Sequence, residues 1–89
     1  MYMNIVHTSI DMTRLAEAIA GIDGVKQRFS AMRGFKGAYW LRPTDGHGMA
    51  VALWEDEPAA KAAAFAVGYS PAPGVTVEAV ETRAVIAQA

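Results

Sequence analysis

The chain has 89 residues, 53% of them apolar and 19% charged, enough for one packed domain spanning 1–89 and too few for two. Eight basic against nine acidic side chains leave a net charge of −1, which lacks the basic footprint of a nucleic-acid or anionic-membrane binder. Cysteine is absent, excluding disulfide frameworks, thiol nucleophiles and thiolate metal sites.

The segment Tyr2 to Ile10 is rich in apolar and β-branched residues at a period of two and predicts a strand, with Met3, Ile5 and His7 on one face and Asn4, Val6 and Thr8 on the other. Ser9 or Asp11 is placed to cap a helix beginning near Met12. Leu15, Ala18, Ile19 and Ile22 form its apolar stripe, which resumes at Val25, Phe29 and Met32. Gly21 and Gly24 interrupt that pattern, so the helix is expected to be kinked or split, ending before Gly34. Gly37 to Arg42 and Met49 to Trp54 read as the arms of a hairpin turned at Asp45-Gly46. The acidic run Glu55-Asp56-Glu57 before Pro58 suits a helix start, and an alanine-rich second helix is expected from Pro58 to about Val67 with Phe65 as its large anchor. A glycine- and proline-rich loop over 68–74 then leads into a final strand from Val75 to Ala87.

The order β-α-β-β-α-β is that of the ferredoxin-like α+β fold, a four-stranded antiparallel sheet with two helices on one face. Met49, Val51 and Leu53 alternate with Ala50, Ala52 and Trp54, so the third strand is apolar on both faces, whereas a sheet wetted on one side alternates apolar with polar. The face without helices therefore needs a cover, and a second copy of the same sheet about a two-fold axis makes a homodimer the expected assembly. The amino terminus has no basic, apolar leader and no run of about 18 apolar residues occurs. No membrane association is expected, and the cytoplasm is the expected location.

The run Gly34-Phe35-Lys36-Gly37-Ala38-Tyr39-Trp40-Leu41, the glycine hairpin, and Ala52-Leu53-Trp54-Glu55-Asp56-Glu57 leading into a helix together resemble the antibiotic-biosynthesis-monooxygenase-like family over nearly the whole chain. The resemblance implies a dimeric α+β barrel, with a cleft between helices and sheet in each protomer. It also implies either cofactor-independent oxidation of polycyclic aromatic substrates or degradation of haem. In both branches the tryptophan matched by Trp54 lines the cleft. Ala50 and Ala60 stand where the aromatic-oxidising branch has an asparagine and a tyrosine, and Phe65 stands where the haem-degrading branch has its iron-ligating histidine. Asn4 matches that branch's strand asparagine.

From the residues themselves, Trp54 beside Ala50 and Ala52, facing an alanine-rich helix, outlines either a pocket with an aromatic wall or a tight helix–sheet contact. Asn4 among apolar neighbours must be buried and must find a hydrogen-bond partner. Tyr39 and Trp40 point to opposite faces, so at most one enters the cleft. His7, Tyr39 and Phe65 complete the candidate ligand-binding set with Trp54 and Asn4. Arg42, near a strand end, reads as a solvated charge. No catalytic residue stands out, no set of three or four converging metal ligands occurs, and no resident cofactor is called for. A flat, apolar, aromatic small molecule is the expected ligand.

Overall fold

The computed structural model describes residues 1–89. Strand β1 (Tyr2–Ile10) is followed by a 3-10 turn at Met12–Arg14, opened by the Asp11 carboxylate, which accepts from the Thr13 N–H at 3.0 Å and the Thr13 hydroxyl at 2.6 Å. Helix α1 (Leu15–Ser30) then runs unbroken through Gly21 and Gly24, so it is not split there. Gly21 is there for close approach: a Cβ at this position would lie 2.5 Å from that of Ala72 in the loop before the last strand.

Strands β2 (Phe35–Trp40) and β3 (His47–Trp54) form the expected hairpin, with β2 beginning two residues earlier than its aromatic run suggests because Phe35 pairs with Trp54 across a bulge before Gly37. At the tip Asp45 (φ 51°) and Gly46 (φ 79°) both take positive φ, and Thr44 and His47 exchange backbone hydrogen bonds of 2.9 Å each, the geometry whose twist matches the flanking strands.

Helix α2 (Glu57–Ala63) is capped by Asp56, whose carboxylate accepts from the Ala59 N–H at 2.9 Å, while Arg33 grips both carboxylate oxygens at 3.0 and 3.1 Å. It ends four residues before the expected Val67. The Ala64 N–H turns back to the Lys61 carbonyl, and Ala64 itself is extended at ψ 131°. Phe65 therefore lies beyond the helix, drawn into a stack with Phe29 and Tyr69. Strand β4 (Val75–Ala84) stops short of Ala87 because its neighbour β1 begins at Tyr2, opposite Ala84, and the last bond beyond that pair is the one the Val85 N–H donates to the Met1 carbonyl at 2.9 Å.

The strand order is β2-β3-β1-β4 with antiparallel neighbours throughout, a ferredoxin-like α+β fold. The main core joins Phe29, Ala52 and Trp54 to Ala59, Ala60 and Ala63 of α2. Methyl-sized side chains let α2 settle onto β1, β3 and β4, whereas α1 makes its close backbone approach at Gly21, to the loop at Ala72 rather than to a strand. One helix is seated on the sheet and the other stands off it. The opposite face of the sheet, carrying Met3, Ile5, Val51, Leu53 and Tyr39, has no helix over it, and Tyr39 is 63% exposed there. No helix is long and apolar enough to cross a membrane.

Candidate functional site

The stand-off of α1 leaves a cleft of about 360 Å³ between that helix and the sheet, within the range of about 300–1,000 Å³ typical of small-molecule sites. Period-two alternation supplies its floor: Asn4, Val6 and Thr8 from β1, Ala50 and Ala52 from β3, and Ala38 from β2. The stripe of α1 forms the roof, with Leu15, Ala18, Ile22 and Val25 directed at the sheet. Small floor residues under a raised helix make space where large ones would have made core.

Aromatic rings form one wall. Phe29 lies near Phe65 (centroids 5.8 Å apart, planes 28°) and Trp40 (6.4 Å, 22°), both of which line the cleft with it. Tyr69 stacks on the Phe65 ring at 5.4 Å, and the Arg28 guanidinium sits 5.1 Å from its centroid. These near-parallel rings present flat apolar surfaces, on which another flat ring can stack in an offset arrangement.

Asn4 is 3% exposed and largely committed within the protein. Its Nδ2 donates to the Ala60 carbonyl at 2.8 Å, and its Oδ1 accepts from the Thr82 hydroxyl at 2.7 Å. The carbonyl is available because the last turn of α2 tightens, leaving Ala60 without the helical partner that Ala64 would have been. What Asn4 has left for a ligand is its second amide hydrogen and the second lone pair of Oδ1.

The remaining sequence candidates divide. Phe65 lines the cleft together with Asn4. Trp54 lies behind its aromatic wall, wholly buried, with its ring edge-on to Phe29 at 5.3 Å and its Nε1 unpaired. Of the two readings open from sequence, its placement is that of the packing residue under α2. Tyr39 and His7 stand on the other face of the sheet, where His7 Nε2 is 3.7 Å from a Glu81 carboxylate oxygen. Neither lines the cleft. Of the Tyr39–Trp40 pair it is Trp40 that enters; Arg42, read as a solvated charge, borders the cleft; and Phe29 and Thr8, which sequence reasoning did not single out for it, line it too. The alternation that sets Tyr39 and Trp40 on opposite faces carries the signal for Trp40, but nothing local marks which face is hollow.

The chemistry on offer is sparse. No histidine, cysteine or tyrosine lines the cleft, and no cluster of three or more metal-ligating side chains exists anywhere in the chain. A haem placed here would find no axial imidazole, thiolate or phenolate for its iron, so the residues present do not fit that group. No carboxylate lines the cleft either, leaving no side chain of suitable pKa to accept a proton from a bound molecule.

No family model matches the chain, and no curated protein matches it in sequence. Among solved structures, the fold is similar to that of MhuD, the haem-degrader of Mycobacterium tuberculosis, whose structure has two haems bound in its active site. The likeness covers 100% of this chain and 99% of that one, with a TM-score of 0.66 at 19% sequence identity. It shows a shared fold.

Proposed function

We propose that the protein is a homodimer that binds a flat, mostly apolar small molecule in the cleft beneath α1. The observation that carries this reading is the lining itself: a hollow of about 360 Å³, walled by Phe29, Trp40 and Phe65 and floored by alanines. The antibiotic-biosynthesis-monooxygenase-like resemblance of the sequence and the shared fold of MhuD, which holds haem in its active site, support a cleft built for planar ligands. The lining favours binding over catalysis. An oxygenation in this cleft would require a substrate that arrives already ionised, because the walls hold no base. Apolar surface on the uncovered sheet face, where Met3, Ile5 and Leu53 share the side of the exposed Tyr39, supports pairing of two protomers through that face.

The test uses the fact that the chain has only two tryptophans. In the Trp54→Phe variant, emission comes from Trp40 in the cleft wall. Titration with a panel of polycyclic quinones, phenols and haem is expected to give saturable quenching and a raised melting temperature for iron-free planar compounds. Absence of quenching and of any thermal shift across the panel would overturn the reading.

A further inference from the structure

We infer that the cleft selects an anionic form of its ligand, an aromatic monocarboxylate, held with its ring against Phe29 and Trp40 and its charge at Arg42. This rests on the cleft being a small-molecule site and goes beyond it in naming the ligand's charge and orientation. The argument is one of charge count and position. Of all the residues lining the cleft, Arg42 is the only one that carries a charge. It also has no acidic partner, although Arg14, Arg33, Lys61 and Arg83 all pair with carboxylates. An unpaired guanidinium at the rim of an apolar hollow without any acidic group gives that rim a positive potential. A planar donor fork is suited to grip both oxygens of a carboxylate.

The two ends of the cleft differ in kind. Arg42 follows Leu41, whose N–H bonds the Met49 carbonyl at 2.9 Å, and this puts Arg42 beside the start of β3. Thr8 faces Gly48 in the adjoining register, so the hydroxyl and the guanidinium both belong to the hairpin end. Trp40, two residues before Arg42 and in register with Ala50 and Val6, stands on the hairpin side of Asn4, while Phe29 and Phe65 lie toward the other end, where Asn4 is mostly engaged by Ala60 and Thr82. A bound molecule therefore meets flat rings along the wall and one lining charge, Arg42; the Arg28 guanidinium, also without an acidic partner, sits 5.1 Å from the Phe65 centroid but does not line the cleft. Arg42 is exposed, so water and salt screen the pairing, and its effect on affinity is several-fold rather than orders of magnitude.

The experiment compares 2-naphthoate with 2-naphthamide, which share a skeleton and differ in charge, by calorimetric titration at low and high salt. The proteins are the native chain, Arg42→Gln, and Lys36→Gln as a control that also removes one positive charge, from an exposed site on β2 outside the cleft. The expected result is a preference of about fivefold for the acid at low salt. It shrinks at high salt, vanishes in Arg42→Gln with naphthamide binding unchanged, and persists in Lys36→Gln. Equal binding of acid and amide by the native chain would overturn the role of Arg42 and leave the cleft standing as a ligand site. A preference that survives Arg42→Gln, or that Lys36→Gln abolishes equally, would overturn it too, in favour of the protein's overall field. If neither compound binds, the cleft reading falls and the selection with it.

Discussion

The Asn4 amide donates to the carbonyl of Ala60 at 2.8 Å and thereby ties β1 to the last turn of α2 across the core. The same side chain accepts from Thr82 on β4, so three elements share one buried group. Replacing Asn4 by Ala leaves the Ala60 carbonyl and the Thr82 hydroxyl without their partner, at an expected cost of about 1–3 kcal/mol. Urea unfolding of Asn4→Ala against the native chain measures this, and an unchanged midpoint would show that water replaces the amide at no cost.

Trp54 is expected to behave as core rather than cleft. Its side chain is fully buried and its Nε1 has no partner, so Trp54→Phe removes an unpaired donor while losing ring volume. The expected net loss of stability is about 1–2 kcal/mol, with ligand affinity changed less than twofold. A variant of native stability and much weakened affinity would return Trp54 to the cleft wall.

Much of this arrangement was legible in the sequence. The first strand, the Asp45-Gly46 turn and the ferredoxin-like order follow from β-branched alternation and turn chemistry, which are local. The end of α2 was not legible. Alanine favours continuing a helix, and what stops it after Ala63 is the recruitment of Phe65 by Phe29, a residue 36 positions away. The hollow was hidden for a similar reason: the stripe of α1 looks the same whether the helix rests on its sheet or stands off it. Arg42 read as a solvated charge because its neighbours in sequence do not disclose that it borders the cleft.

The two glycines of α1 separate backbone cost from contact. Gly24 has nothing within 4 Å of where a Cβ would be, whereas at Gly21 that atom would press on Ala72. Gly24→Ala is expected to stabilise by about 0.5–1 kcal/mol through helix propensity. Gly21→Ala is expected to lose that gain or reverse it. Equal stabilisation by both would mean that α1 moves freely against the loop at Ala72.

Acid sensitivity follows from the caps. The Arg33 guanidinium, and after it the Ala59 N–H, hold the Asp56 carboxyl below its ordinary value of 3.8. The depressed folded value means that the stabilisation is fully present above the unfolded pKa of about 4 and is lost as pH falls through the lower folded value. Stability is therefore expected to be insensitive to this pair between about pH 5 and 7, and to decline below about pH 4. Asp56→Asn, which keeps a capping oxygen, should flatten part of that decline in urea midpoints followed against pH. An identical acid limb in the variant would assign the decline to the other carboxylates.

The uncovered sheet face is expected to mediate dimerisation. Ile5 sits in the middle of that face, in register with Val51 on one side and Glu81 on the other, so a lysine there retains a carboxylate neighbour and the fold. Ile5→Lys is expected to convert a dimer into a monomer at micromolar concentration in light scattering. A native chain that is already monomeric would contradict the pairing.

The cleft is tested most directly by filling it. Ala50 lies on its floor, in register with Val6 and Trp40, and Ala50→Phe would place a ring in the space that a planar ligand is proposed to occupy. Calorimetric titration with 2-naphthamide, which engages the hollow without engaging Arg42, is expected to show saturable one-site binding to the native chain and at least tenfold weaker binding to a folded Ala50→Phe variant, about 1.4 kcal/mol or more. Binding of equal strength in both proteins, or no binding to the native chain, would contradict a ligand site beneath α1.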